Sequence, residues 1–195
     1  MLETSILDQV RSVFQNLEAR YIFHITYNPE HEQAQEFIGF LNNVASCSEK
    51  LSCLLTETDN PGLEFTLLKE GVETDIKFRG IPSGHEFTSL LLAVLNADGK
   101  GKNLPDEAIS RRIKALQGPV RLQTYVSLTC TNCPDVVQAL NIITLLNPQI
   151  THEMVDGALY QEEVDALKIQ GVPSVYANGK LLHVGRGSLG ELLQK

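Results

Sequence analysis

Val120-Arg-Leu-Gln-Thr-Tyr-Val-Ser-Leu-Thr-Cys130-Thr-Asn-Cys133-Pro-Asp-Val-Val-Gln-Ala-Leu-Asn141 changes its period midway, and that change decides the fold. Val120, Leu122, Thr124, Val126 and Leu128 alternate with Arg121, Gln123, Tyr125 and Ser127, which is the pattern of a strand. Beyond Cys133, Val136, Leu140 and Ile143 recur at helical spacing until Asn147-Pro148 stops the helix. Cys130 and Cys133 stand at the junction. A cysteine before a helix N-terminus is drawn toward its thiolate, and a second one three positions on is within reach of whatever the first attacks. Half of a zinc site has the same spacing, so the pair alone leaves a redox dithiol, a zinc half-site and a metal-carrying module open. Cys47 and Cys53, the remaining cysteines, have C-x5-C spacing, which is poor for the other half of a zinc knuckle.

Working downstream, Ile150 to Val155 predicts a second strand and Ala158 to Lys168 a second helix. Gly171-Val172-Pro173 leads into a strand over Ser174 to Ala177. Asn178-Gly179 then marks a hairpin turn into Leu181 to Val184, and Ser188 to Lys195 starts a last helix. The order is β-α-β-α-β-β-α.

The same order runs through the first half. Tyr21 to Tyr27 reads as a strand, Glu32 to Ala45 as a helix and Leu51 to Thr56 as a strand. Leu63 to Leu68 and Asp75 to Phe78 form a hairpin around Gly71, and Phe87 to Leu95 a closing helix. The middle helix has shrunk to the loop Glu57 to Gly62. An amphipathic helix precedes each copy, marked by Leu2, Ile6, Val10, Val13 and Leu17 in one and by Ile109, Ile113 and Leu116 in the other. The sequence is therefore an internal duplication. Its boundary is expected in the glycine- and charge-rich Ala97 to Asn103, which gives units 1–101 and 102–195. Where the second copy has its cysteines, the first has Asn28-Pro29-Glu30-His31-Glu32.

Composition narrows the classes of function. With 195 residues, 43% hydrophobic and 21% charged, the chain reads as an ordinary globular protein. A net charge of −8 argues against an electrostatic nucleic-acid surface. The longest apolar run, Leu90 to Leu95, is far too short to span a membrane, and Met1-Leu-Glu-Thr-Ser does not resemble a secretion signal. Four cysteines are too few for a disulfide scaffold and suit a cytoplasmic setting where thiols are reduced, catalytic or metal-bound.

Pro173 lies directly after Gly171-Val172 and before a strand. Beside a CxxC loop, that placement suggests a cis bond presenting the Val172 backbone to a partner's extended chain. With this in place the second half resembles a thioredoxin-fold redox domain. The whole chain resembles the N-terminal region of the flavoprotein component of bacterial alkyl hydroperoxide reductases. The residues that carry the resemblance are Gly84-His85-Glu86-Phe87-Thr88-Ser89-Leu90, Tyr125 through Asn141, and Gly171-Val172-Pro173-Ser174. Thr131 departs from members with histidine there, a change expected to tune the reduction potential.

The resemblance implies two contiguous thioredoxin-like folds, each a mixed sheet flanked by helices, with only the second carrying CxxC. It implies a thiol–disulfide oxidoreductase that passes electrons to the disulfide of a peroxiredoxin. The donor would be a C-terminal, FAD-containing, thioredoxin-reductase-like domain that uses NADH. Cys130 becomes the attacking cysteine, the role its place nearest the helix N-terminus also suggests, and Cys133 the resolving one. Glu86 would face the dithiol and tune or relay its proton, against the plain alternative of a solvated helix-start glutamate. Val172 and Pro173 would contact the substrate. No metal and no cofactor is expected on this chain itself, and the missing FAD and NADH fingerprints lead to the expectation that it is part of a longer flavoprotein. The rivals are a free-standing, broad-specificity disulfide reductase and a metal-binding CxxC module.

Other signals carry less. Gly185-Arg-Gly187-Ser-Leu-Gly190 matches G-x-G-x-x-G, but a nucleotide site needs a following helix, strand and acidic residue. It reads as a turn. Gly99-Lys100-Gly101-Lys102 lacks phosphate-loop spacing. Cys47 and Cys53 read as small apolar residues around the second strand. His24, His31, His152 and His183 read as structural or surface groups.

Overall fold

The computed structural model describes residues 2–102 and 104–194. The elements run α1 (Thr4–Phe14), β1 (Tyr21–Tyr27), α2 (Ala34–Ala45), β2 (Leu51–Glu57), β3 (Leu63–Lys69), β4 (Val72–Arg79) and α3 (Phe87–Ala97). They continue α4 (Glu107–Lys114), β5 (Val120–Val126), α5 (Cys133–Leu146), β6 (Ile150–Asp156), α6 (Gln161–Leu167), β7 (Ser174–Ala177), β8 (Lys180–Val184) and α7 (Leu189–Leu193). A short 3-10 turn, Gly84–Glu86, precedes α3.

The duplication is visible in the pairing. β1 lies parallel to β2 and antiparallel to β3, and β5 lies parallel to β6 and antiparallel to β7. Both copies are thioredoxin-like mixed sheets. The two are not separate, however. β4 pairs in parallel with β6, with Ile76 opposite His152 and Arg79 opposite Val155, so all strands form one eight-stranded sheet ordered β2-β1-β3-β4-β6-β5-β7-β8. Sequence periodicity gives the face of a strand and says nothing of its distant neighbour, which is why the fused sheet was not legible.

Several element ends differ from expectation. β5 stops at Val126, because Ser127–Asn132 turn into α5. α6 begins at Gln161, since Asp156 accepts the amides of Leu159 and Tyr160 and closes a turn first. Leu2 and Leu17 lie outside α1, and Leu116 outside α4. The hairpin is tighter than expected, with β3 and β4 joined by Glu70-Gly71, both at positive φ. Asn103, in the expected boundary, and Lys195, the expected end of the last helix, lie outside the described residues.

One core cluster unites α2, α3 and the buried face of β1, β3 and β4 through Tyr21, Phe23, Ile25, Phe37, Phe65 and Phe78. Burying each such side chain contributes about 1.5–3 kcal/mol. Cys133, Val137, Val126 and Met154 belong to this same cluster. Val136, Leu140 and Ile143, on the adjoining stripe of α5, pack instead with Leu122, Ile150, Val175 and Leu192. α5 thus has one apolar stripe in each fold, and the first fold covers the cysteine end of the helix. On the opposite face of the sheet, α6 covers Tyr125, Val155 and Tyr176. The first fold has the loop 58–62 there in place of a helix, and Leu54 on β2 stays 49% exposed. No helix among the described residues is long and apolar enough to cross a membrane.

Candidate active site

The β5–α5 connection builds the site from local chemistry. Ser127 accepts the Cys130 amide on its carbonyl (3.0 Å) and the Thr129 amide on its hydroxyl (3.3 Å), which curls the loop back under itself. Cys133, rather than Cys130, stands at the α5 N-terminus as its first residue, so the greater exposure of Cys130 and not its nearness to the helix distinguishes it as the attacking cysteine. Pro134 follows in the first turn, where the missing N–H of proline costs nothing. Cys130 and Cys133 are joined as a disulfide with Cα atoms 5.6 Å apart. Cys130 is half-buried, whereas Cys133 is wholly buried. The free amides and dipole at the α5 N-terminus favour negative charge, so a thiolate formed here on reduction is stabilised.

Val172 and Pro173 are joined by a cis peptide bond. The Val172 carbonyl oxygen lies 3.9 Å from Cys130 Sγ. Ser174 donates to the Gly171 carbonyl (2.6 Å) and holds this corner in front of β7. A cleft of about 580 Å³ lies between α5 and the segment leading into α7, lined by Asp135, Gln138 and Ile142 and by Arg186 to Leu189, and neither the cysteines nor Val172 and Pro173 line it.

The first fold enters the site through Gly84–Glu86. Gly84 sits at φ +57°, and a Cβ there would be 2.7 Å from the Leu128 carbonyl oxygen. That oxygen accepts the His85 amide at 3.0 Å. The first fold is therefore fastened to the loop that ends in Cys130.

Glu86, next in line, is fully buried, so the solvated helix-start reading is corrected: packing of this turn against α5 removes its water. Desolvation pushes its carboxyl up to about 7, with a further push from the Asp135 carboxylate, although the Ser89 hydrogen bond pulls the other way. Ser89 Oγ donates to Glu86 Oε1 at 2.7 Å, and Gln138 Nε2 of α5 donates to Ser89 Oγ at 3.2 Å. Glu86 Oε2 is buried without a hydrogen-bond partner. Ser89 and Gln138 lie within the stretches that carry the resemblance, but the sequence assigns neither a role. Ser89, three positions beyond Glu86 at a helix start, had a usable spacing signal. Gln138 had none, because its contact crosses between the folds.

The remaining candidates are structural or belong to turns. His152 is buried and held well below the usual imidazole range, at about 3, by desolvation. Its neutral ring bridges Asn141 Oδ1 (2.7 Å) and Thr124 Oγ1 (2.7 Å). Cys47 is a buried thiol beside the Asn43 carbonyl, and burial pushes the Cys53 thiol up to about 11, so neither is a reactive thiolate at neutral pH. Ser188 caps the short α7 by accepting the Glu191 amide, and Gly185 to Ser188 form the connection from β8 into that helix.

Comparison with known proteins agrees with this geometry. The thioredoxin domain family matches residues 120–195. The alkyl hydroperoxide reductase AhpF of Pseudomonas aeruginosa is 36% identical over 195 residues, the whole of this chain and 37% of that protein. The chain thus spans a little over a third of that relative's length. The solved N-terminal domain of AhpF from Enterococcus faecalis is 29% identical, covering 100% of this chain and 99% of that one, with a TM-score of 0.90. A further structure of AhpF from the same organism is 30% identical over 99% of this chain and 98% of that one, also with a TM-score of 0.90. The chain belongs to the AhpF family of alkyl hydroperoxide reductases and corresponds to its N-terminal, tandem thioredoxin-like domain.

Proposed function

We propose that this chain is a thiol–disulfide relay that carries two electrons from a flavin- and NADH-dependent reductase region to the disulfide of a peroxiredoxin, in the bacterial cytoplasm. The observation that carries the reading is the Cys130–Cys133 disulfide at the head of α5, with Cys130 half-buried and Cys133 wholly buried in a core cluster that includes residues of both folds. We divide the module into a first fold, 1–101, and a second, redox-active fold, 102–195. The flavin- and NADH-using donor is assigned to the region by which the relatives are longer than this chain.

In the reduced protein the Cys130 thiolate attacks one sulfur of the partner's disulfide. A mixed disulfide forms and the partner's other sulfur leaves as a thiolate. Cys133, buried and hence a poor thiolate by itself, gives its proton to Glu86 and attacks Cys130. The partner leaves with both sulfurs reduced, and Cys130–Cys133 is left oxidised. Val172 and Pro173 offer main chain beside Cys130 on which an extended partner segment is aligned.

The test is to mix the reduced chain with oxidised peroxiredoxin, alkylate, and weigh both proteins. Transfer leaves Cys130 and Cys133 unalkylated and the peroxiredoxin thiols modified. Cys133→Ser should accumulate a covalent complex through Cys130. If Cys130 and Cys133 stay alkylatable while the peroxiredoxin stays oxidised, the relay reading is wrong.

A further inference from the structure

We propose that Ser89 and Gln138 are positioning residues that aim Glu86 through a directed hydrogen-bond chain between the folds, leaving Oε2 as the oxygen that exchanges a proton with the dithiol. The proposal deepens the functional reading and rests on its assignment of Glu86 as proton acceptor.

The direction of the chain follows from donor chemistry. The Gln138 side-chain nitrogen has only protons to give, and it gives one to Ser89 Oγ at 3.2 Å. The Ser89 hydroxyl proton is then free to turn to Glu86 Oε1, 2.7 Å away. Oε1 is thereby committed as an acceptor. Oε2 is buried with no donor, and an unpaired charge on it is costly, so the acid form carries its proton there. With Oε1 anchored, the carboxyl cannot rotate to present the other oxygen without breaking the Ser89 bond.

The hydrogen-bond chain joins the first fold to the helix that begins with the resolving cysteine. Glu86 and Ser89 come from the first fold, at the start of α3. Gln138 comes from α5, the helix that begins with Cys133. The helix that holds the resolving cysteine therefore also holds the group that orients its base. The charged and titratable groups beside Glu86 are the exposed His85 before it and the Asp135 carboxylate of α5; Cys133 belongs to the apolar cluster that includes Leu90 and Ala93 of α3. Among these, Ser89 stabilises the ionised carboxylate and Asp135 disfavours it.

The experiment loads Cys130 of the full chain with 5-thio-2-nitrobenzoate and follows release of the coloured thiolate from pH 5 to 9. Each release forms Cys130–Cys133, frees one thiolate and transfers the Cys133 proton to Glu86. The wild-type rate should rise with pH through the Glu86 titration near 7. Ser89→Ala should move that midpoint up by about one pH unit, a roughly tenfold loss on the acid limb, with the plateau unchanged. Gln138→Leu should move it the same way by less, and Ser89→Thr should restore the wild-type profile. Gln138 is only half-buried, so that variant decides the matter if Ser89→Ala fails to fold. Glu86→Gln is the control. If it removes the limb while Ser89→Ala and Gln138→Leu overlay the wild type, this inference alone fails. If Glu86→Gln leaves the limb in place, the role of Glu86 falls, and the inference with it.

Discussion

The Tyr160 hydroxyl and the Leu63 backbone hold each other twice, the hydroxyl donating to the Leu63 carbonyl and accepting the Leu63 amide, both at 3.0 Å. This ties the turn before α6 to the start of β3 and so joins the second fold to the first. Arg79 stacks over the same ring at 4.3 Å from its centre and pairs with Glu163 and Glu153. Gly62 is needed here, since a Cβ would lie 2.5 Å from the Tyr160 hydroxyl oxygen. Tyr160→Phe keeps the ring and removes both bonds, and should cost about 1–3 kcal/mol. Urea unfolding should show a lower midpoint at unchanged slope.

Asp98 gathers the end of α3 and the α1–β1 connection. Its carboxylate accepts the Glu18 and Ala19 amides, each at 3.0 Å, the Tyr21 hydroxyl at 2.9 Å and the Lys100 ammonium at 2.9 Å. Burial alone would raise its pKa, yet these donors outweigh burial and hold the group at about 2. A depressed carboxylate stabilises the fold above its unfolded value, and that stability is lost as pH falls through the folded one. The window is therefore about pH 4 down to 2, worth about 2 kcal/mol. Asp98→Asn should lose that amount at pH 7 and show a flatter acid-unfolding curve over the same window.

How far the sequence was legible depends on whether a feature is local. The strand–CxxC–helix switch and the Val172-Pro173 corner follow from patterns within a few residues, the duplication follows from the order of elements each read locally, and all stand in the structure. The pairing of Ile76 with His152 does not, because β4 and β6 are far apart in the chain and nothing in either names the other. Glu86 shows the same limit. Its position at a helix start suggested solvent, and only the packing of the first fold on α5 reveals that it is buried. Gln138 could not be found at all, being one polar residue on a helix until Ser89 is placed beside it.

Glu86 should cost stability above neutral pH. Its folded value of about 7 lies above the ordinary 4.5, so the fold favours the protonated form. The stability this contributes is complete below about pH 4.5 and is lost as pH rises through about 7. Glu86→Gln mimics the protonated group and removes the loss. It should be more stable than the wild type by about 2–3 kcal/mol at pH 8.5 and nearly equal at pH 4.5. Thermal unfolding at the two pH values checks this, and equal gains at both would point to packing rather than charge.

Gly84 tests whether the first fold seals the dithiol. Its φ of +57° disfavours a side chain, and a Cβ would press to 2.7 Å on the Leu128 carbonyl oxygen, which is rigid backbone. In Gly84→Ala the turn must move away from Leu128, weakening the 3.0 Å bond from the His85 amide to that oxygen. The cost should be about 2–4 kcal/mol, part from the left-handed backbone and part from the contact. Gly71→Ala is the matched control: φ is +78° there too, but nothing lies within 4 Å of the added carbon. It should cost about 1 kcal/mol and leave the site alone. The discriminating measurement is alkylation of Cys133 in the reduced proteins. Cys133 is wholly buried, within the cluster that includes Leu90 and Ala93 of the first fold, so lifting the turn should speed its modification severalfold in Gly84→Ala and not in Gly71→Ala. Equal rates in both variants would mean that α5 and its own fold bury Cys133 without help from the first.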